Sequence, residues 1–344
     1  MIRMVHLLDD FGMGGVTRAL SLFDDPRIEK MAHSRIVRMG RRPGEAVRFD
    51  ADIIVIHVPP CWSRLPYLVS LRLRNPGARI VQVEHSYTRS FEKDRVASIV
   101  RFRALLMAAA RLVDEIVAVS EAQKDWLIEV GISRDKLTTI NPWCGREELF
   151  SVPDLQPRRG PLQLLAYGRL AQEKNFAALV QAMGCFRADE VKLTLFGAGP
   201  EEDRLIALAQ DLDNVRMLPP TNDLVPRLAA CDAVIVPSRY EAFGLVATEA
   251  RMAGRPLLVA DIDGLTAQAK GGAGFAASTH DVADIACGIV RLMHADLPAM
   301  GRAARTGVGR QHDDIIAGWQ AVIRRAAKSN TDEADTRSSF TVSA

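Results

Sequence analysis

Nine short, unbroken apolar runs alternate with helical patterns along this chain, and that alternation dictates the fold class. The runs in the first part are Met4–Leu8, Ile53–Val58, Arg79–Val83 and Ile116–Val119. Helical spacing lies between them at about 15–23, 62–75, 93–113 and 121–130. Strands apolar on both faces, separated by helices, belong to a parallel sheet covered on each side. The pattern pauses at 141–161, where four prolines break any periodicity. It then restarts with runs at Leu162–Tyr167, Val191–Phe196, Val215–Leu218, Ala233–Val236 and Pro256–Val259. Helical patterns accompany these at 175–186, 200–212, 222–230, 244–253 and 281–293. The expectation is two doubly wound α/β domains in series, 1–155 and 156–310. A helix at 311–328 follows, with Ile315, Ile316, Trp319, Val322 and Ile323 on one stripe, and the polar residues 329–344 are expected to be a disordered tail.

Composition limits what such a chain does. At 344 residues it is long enough for two cores without a disulfide or metal staple. Its five cysteines are scattered, with no CxxC pair, which points to a reducing, cytoplasmic compartment. The N-terminus lacks a signal-peptide pattern, and the longest apolar run, Ala104–Ala110, is too short to span a membrane. The net charge of +2 excludes a bulk polycation, and no nucleic-acid partner is expected. The charge is uneven, however. Positions 64–111 carry ten basic residues against Glu84, Glu92 and Asp94. This is either a solvated face or a landing surface for anionic lipid or phosphate.

Doubly wound sheets bind ligands beyond the carboxyl ends of their strands, and four such places carry informative residues. After the first strand comes Gly12-Met13-Gly14-Gly15-Val16-Thr17-Arg18, a tight turn into a helix start. It does not complete a dinucleotide fingerprint. After the strand ending at Tyr167 comes Gly168-Arg169-Leu170 with Glu173-Lys174-Asn175. Arg169 and Lys174, two cations at a helix start, suit a diphosphate, although a solvated turn would look the same. The third place is Gly197-Ala198-Gly199-Pro200, which makes room for a ligand or simply starts a helix well. The fourth runs from Pro237 through Glu241, Phe243, Gly244 and Leu245 to Glu249. There, amides at a helix start favour an anion, while the two carboxylates suit hydroxyl groups. Together these features describe a ligand with two polyol ends and a diphosphate between them, a nucleotide sugar.

At these residues the sequence resembles the retaining GT-B glycosyltransferases, specifically the family 4 group with its E-x7-E pair. Glu241 and Glu249 form that pair around Phe243-Gly244-Leu245, and the three glycine-bearing loops support it in the same order. The resemblance covers about residues 1–328. It implies two Rossmann-like domains facing a cleft, the second holding the donor and the first the acceptor, with the 311–328 helix crossing back to the first. It also implies a role for each matching position. Arg169 and Lys174 hold the departing diphosphate, Glu241 binds the donor sugar and Glu249 the ribose. Gly14, Gly15 and Gly197, with the amides of Phe243, Gly244 and Leu245, line the donor, and His85 lies by the sugar.

His57 and His6 read as structural strand residues. Asp-x-Asp triplets at Asp50–Asp52, Asp211–Asp213 and Asp261–Asp263 lack the surroundings of a metal site. No cofactor or metal is expected, because Arg169 and Lys174 can neutralise the leaving charge. The chain departs from the family pattern at Asn141-Pro142-Trp143-Cys144, at Pro219-Pro220 and at Ala267, where a glutamate is common. The implied activity is retaining transfer of a sugar to an acceptor, with a lipid-linked intermediate of surface polysaccharide or glycolipid assembly fitting the basic stretch. That places the protein in the cytoplasm, peripheral at the inner membrane. A sugar-nucleotide epimerase on the same fold and a non-catalytic nucleotide-sugar-binding subunit remain open. A nicotinamide dehydrogenase is a more distant alternative.

Overall fold

The computed structural model describes residues 1–11 and 15–340, without the side chains of 16 and 328–340. It contains two parallel six-stranded sheets in two compact units. The first sheet takes β1 (Ile2–Leu8), β2 (Ala32–Arg38), β3 (Ile53–Ile56), β4 (Arg79–Glu84), β5 (Glu115–Ala118) and β6 (Leu137–Thr139), in the order β2-β1-β3-β4-β5-β6. The second takes β7 (Leu162–Tyr167), β8 (Val191–Phe196), β9 (Val215–Leu218), β10 (Ala233–Val236), β11 (Leu257–Ala260) and β12 (Gly274–Ala277), in the order β12-β11-β10-β7-β8-β9. The interior strands β3, β5, β10 and β11 are buried along their length, as their apolar runs require. These are two Rossmann-like α/β domains.

Each sheet has one point where the winding reverses. In the first, β1 has β2 on one side and β3 on the other; in the second, β7 lies between β8 and β10. Adjacent loops there diverge to opposite faces and leave a crevice at the strand ends, which is where such sheets bind ligands.

The first unit comprises Met1–Tyr87, Arg95–Gly145 and the chain from His312 onward; the second comprises Thr88–Asp94 and Arg146–Gln311. This division differs from the expected boundary at 155. Residues 146–155 join the second unit because Arg146 bonds the Asn222 carbonyl (2.8 Å) and Leu149 and Val152 are buried. Thr88–Asp94 joins it through polar contacts described below.

Other expectations are corrected by local chemistry. The helix expected over 93–113 is two helices, Arg89–Arg95 and Ile99–Leu112. Ser98 begins the second by accepting a bond from the Arg101 amide at 3.4 Å. The helix Leu297–Val308 is one the sequence reading did not place; its Gly301 fits where a Cβ would lie 2.4 Å from the Gly254 carbonyl oxygen. The last helix, Gln311–Phe340, extends past Lys328, so the backbone of 329–340 is helical rather than disordered. That stretch holds no glycine or proline to stop it. Residues 341–344 of the expected tail lie outside the described residues. The stripe Ile315, Ile316, Trp319, Val322 and Ile323 is buried in the first unit, with Trp319 edge-on to Phe23 at 4.9 Å.

Candidate active site

In the second unit, chemistry-bearing residues gather at the reversal between β7 and β10. The loop after β7 starts at Gly168 (φ +135°), makes a 3-10 turn at Gln172–Lys174, and passes through Asn175 in the left-handed region (φ +57°) into the helix Phe176–Met183. The buried Asn175 amide donates to the Thr279 carbonyl at 2.8 Å, which anchors the turn. This conformation presents Lys174 toward the loop after β10, where its ammonium pairs with the Glu241 carboxylate. Ser238 Oγ donates to the same carboxylate oxygen at 3.2 Å.

The Glu241 backbone is held by the loop after β11. Its amide donates to Asp263 Oδ2 at 3.3 Å, and its carbonyl accepts from the Gly264 amide at 3.2 Å. Asp263, at φ +42°, also accepts from Thr88 Oγ1 (2.7 Å) and the Ser90 amide (3.1 Å). Phe91 meets Tyr240 edge-on at 5.2 Å. The 88–94 segment therefore buttresses the Glu241 loop. In the sequence Asp263 stands out only as part of an Asp-x-Asp triplet, and nothing there marks Thr88 and Ser90 as its partners or Ser238 as a partner of Glu241.

The helix Leu245–Met252 begins at Gly244 (φ +91°) without a side-chain cap. The φ of +91° at Gly244 strains any L side chain, and a Cβ there would also lie 2.4 Å from Leu265 Cδ2, so glycine is favoured. Among the described residues, no backbone acceptor meets the amides of Gly244, Leu245 and Val246. Unpaired amides at the positive end of a helix favour an anion there. Phe243 is buried, and its carbonyl accepts from Gln268 Nε2 at 3.4 Å.

Further along the same helix Glu249 is only 3 % exposed. Tyr167, the last residue of β7, donates its hydroxyl to Glu249 Oε2 at 2.8 Å, and Arg146 Nε stands 3.5 Å from Oε1. Burial, then the adjacent carboxylate, pushes the Tyr167 hydroxyl pKa well above its ordinary value, so it acts as a donor. Tyr167 stacks on Phe196 at 4.9 Å, which fixes its ring. Neither Tyr167 nor Arg146 was singled out from sequence. The only signal is that each borders a chemistry-bearing loop.

The remaining sequence candidates are placed differently. Arg169 does not join the Lys174–Glu241 pair; its side chain is 69 % exposed and 4.0 Å from Glu173. Gly197 and Gly199 lie flat against the loop after β7. A Cβ on Gly197 would sit 1.9 Å from the Gly168 oxygen, and one on Gly199 would sit 2.4 Å from the Leu170 oxygen. Loop-on-loop packing is thus sufficient reason for both glycines. A cleft of about 270 Å³ beside these loops is lined by Gln172, Gln181, Arg204, Arg239 and His280, with none of Lys174, Glu241 or Glu249 on its wall.

In the first unit, Gly15 is exposed at the start of the short helix Gly15–Ala19, and Gly14 lies outside the described residues. His85 follows β4 and is half-buried, its Nε2 3.1 Å from Nδ1 of His57. Next to it Glu84 accepts the amides of Ser86 (2.9 Å) and Tyr87 (3.0 Å), which shape the turn; burial raises the Glu84 pKa to about 7. The acids of another triplet, Asp50 and Asp52, are occupied by Arg3.

Comparison with known proteins accounts for both units. The family model for glycosyl transferases group 1 matches residues 150–306, and that for Glycosyltransferase Family 4 matches residues 21–144. A D-inositol 3-phosphate glycosyltransferase 1 of Catenulispora acidiphila is 30 % identical over 348 residues, covering 91 % of this chain and 79 % of that protein. The chain belongs to the GT-B glycosyltransferases. A glycogen synthase of Mycobacterium tuberculosis is 32 % identical over 237 residues, 65 % of this chain and 53 % of that protein. The chain thus spans about half the length of that relative. Anabaena HepE, solved in complex with UDP and glucose, superposes with a TM-score of 0.69 over 95 % of this chain and 100 % of its own, at 17 % identity. At that identity the likeness speaks for the GT-B fold.

Proposed function

We propose that this GT-B glycosyltransferase moves a sugar from a nucleotide-diphosphate sugar to an acceptor hydroxyl with retention at the anomeric carbon. The observation that carries the reading is the Lys174–Glu241 pair at the β7/β10 reversal, beside the unpaired amides that start the helix Leu245–Met252. In the free protein the two side chains neutralise each other. A donor would part them, with its diphosphate taking Lys174 and the helix-start amides and its sugar hydroxyls taking Glu241. Arg169, exposed on the same loop, would close on the same diphosphate. Glu249, held by the Tyr167 hydroxyl and beside the Arg146 guanidinium, would accept the ribose hydroxyls as a carboxylate acceptor. His85 and Gly15 of the first unit, with Gly14, complete the proposed set.

As the sugar–phosphate bond breaks through an oxocarbenium-like state, negative charge grows on the diphosphate, where Lys174 and the amides stabilise it. The acceptor hydroxyl attacks the face the diphosphate leaves, and the departing phosphate takes its proton. UDP, present in the HepE structure, is the first nucleotide to try.

The acceptor in this reading is a lipid-linked or membrane-associated intermediate in polysaccharide or glycolipid assembly. Its support is a surface of the first unit. Val100 is 82 % and Leu73 74 % exposed, on the helices Ile99–Leu112 and Leu65–Arg74, and Arg101 covers the exposed Trp62 ring at 5.8 Å. Among the ten basic residues of 64–111, Arg64, Arg72 and Arg79 are engaged by Asp9, Asp114 and Glu115, so the basic excess free to meet anionic lipid is smaller than the count suggests.

Lys174→Ala tests the donor reading. Loss of one cation from the leaving group is worth about 3 kcal/mol, or about a hundredfold in turnover. A labelled nucleotide-sugar assay on the folded variant should show that loss, and wild-type turnover would overturn the assignment.

A further inference from the structure

His6, His57 and His85 form one hydrogen-bonded file across the winding reversal of the first sheet. His6 lies in β1, His57 directly follows β3 and His85 directly follows β4, three neighbouring strands. His6 Nδ1 is 3.0 Å from His57 Nε2, and His57 Nδ1 is 3.1 Å from His85 Nε2. The rings stack in sequence with centroids 5.3 Å and 5.4 Å apart.

A neutral imidazole has one N–H and one bare nitrogen. His57 uses both nitrogens, so it donates to one neighbour and accepts from the other. Placing one proton therefore places all three. Either every ring is the Nδ1–H tautomer and the bonds run from His6 to His57 to His85, or every ring is the Nε2–H tautomer and they run back. The two arrangements differ in what they leave at the ends. His6 Nε2 is buried without a partner. In the second arrangement that atom is a stranded N–H donor; in the first it is a bare nitrogen, and stranded buried donors are the rarer defect. At the other end, His85 Nδ1 is the ring nitrogen left without a protein partner among the described residues.

We propose that the file stands in the all-Nδ1–H arrangement, so that His6 and His57 are positioning residues that fix His85 as a hydrogen-bond donor through Nδ1. Burial supports the neutral state of the trio, lowering the His6 pKa to about 3 and that of His85 to about 4. The partner this donor suits is an oxygen with a free lone pair, such as a sugar hydroxyl or a phosphate oxygen. It also follows that His85 is not a general base in its resting state. To accept a proton, Nδ1 would first have to give up its own, both internal protons would have to shift toward His85, and a replacement proton would have to enter at the buried His6 Nε2, where it would be a stranded N–H. The tautomer assignment rests on the first unit alone; a ligand oxygen as the recipient rests on the transferase reading above.

Long-range proton–nitrogen NMR on protein labelled with nitrogen-15 histidine, near pH 7.5 and without substrate, reads each tautomer directly. Three Nδ1–H rings, with nitrogen–nitrogen couplings across the two bonds, are expected. Three Nε2–H rings, or any doubly protonated ring in the file, would overturn the proposal. His57→Phe keeps a ring in place but cuts both bonds. In that variant His85 should revert to the Nε2–H form that free imidazole side chains favour, and an unchanged His85 would refute the positioning role. If His57→Phe does not fold, the wild-type spectrum decides. Since the spectra need no donor, a failed transfer assay alongside three Nδ1–H rings would count against the transferase reading alone.

Discussion

Glu249 shows how much of a residue's role depends on partners far away in sequence. From sequence alone it is a solvated helix acid or a hydroxyl ligand. In the fold it is buried, and Tyr167 and Arg146 converge on it from 82 and 103 positions away. Glu249→Ala should therefore do more than weaken nucleotide binding. It leaves the buried Tyr167 phenol without its acceptor and takes one ion-pair partner from Arg146, at a cost of about 2 kcal/mol to the ligand-free protein. Thermal melting should show the fall, with a smaller one for Glu249→Gln, which keeps an oxygen for Tyr167. An unchanged melting point for the alanine variant would mean that the carboxylate is not held this way. The histidine file makes a second residue-scale prediction. His6, His57 and His85 are depressed below the unfolded value of 6.5, so the unfolded chain binds protons that the folded unit refuses. Their contribution is full above pH 6.5 and is lost as pH falls toward their folded values. Each costs up to about 1.4 kcal/mol per pH unit in that window. Glu84 has the opposite sign: raised from 4.5 to about 7, it favours the folded state at low pH and loses that contribution as pH rises through 7. It offsets about one of the three histidines between pH 6.5 and 4.5. Urea midpoints should thus fall between pH 7 and 5, and a flat profile would contradict neutral buried rings.

Elements were legible where burial was complete. Three interior strands of the second sheet, β7, β8 and β10, have the bounds their apolar runs predict, because an interior strand is apolar on both faces, and the edge strand β9 was also legible because Val215, Met217 and Leu218 keep a short apolar run. The strands missed were β2, β6 and β12, all at sheet edges. An edge strand is half-solvated, and Ala-His-Ser-Arg-Ile-Val-Arg in β2 shows no continuous run. The candidate site was legible for the same reason in part. Lys174, Glu241 and the Leu245–Met252 helix start sit directly after interior strands, whereas their supports, Ser238, Asp263, Thr88 and Tyr167, are set by which loops become neighbours. His57 and His85 could be seen at strand ends and His6 within a strand, but not their union, which needs the order β1-β3-β4. The helix Ile99–Leu112 carries the element-scale prediction. If its exposed Val100 and neighbouring arginines meet a membrane, the protein should sediment with anionic vesicles at low salt, and Val100→Asp should abolish it. No sedimentation of the wild type at low salt would favour a water-soluble acceptor.

At the scale of the whole molecule, the last helix decides whether the first unit exists. Ile315, Ile316, Trp319, Val322 and Ile323 are buried in that unit, and Arg325 pairs with Glu115 of β5. At about 1.5–3 kcal/mol per large buried side chain, the stripe is worth on the order of 10 kcal/mol, comparable to the net stability of a domain. A chain ended at Arg310 should therefore lose the first unit and keep the second. Limited proteolysis would show 1–145 cut quickly with 146–310 resistant, and equal protection of both would refute the estimate. The connectivity also has a consequence for synthesis. The chain enters the second unit at Thr88, leaves it at Arg95, re-enters at Arg146 and returns to the first unit at His312. On the ribosome, the unit that begins first is thus the last to be completed. Its exposed core must wait, unclosed, until the second unit and then residue 326 have emerged, an interval in which a chaperone or a self-association trap would find it.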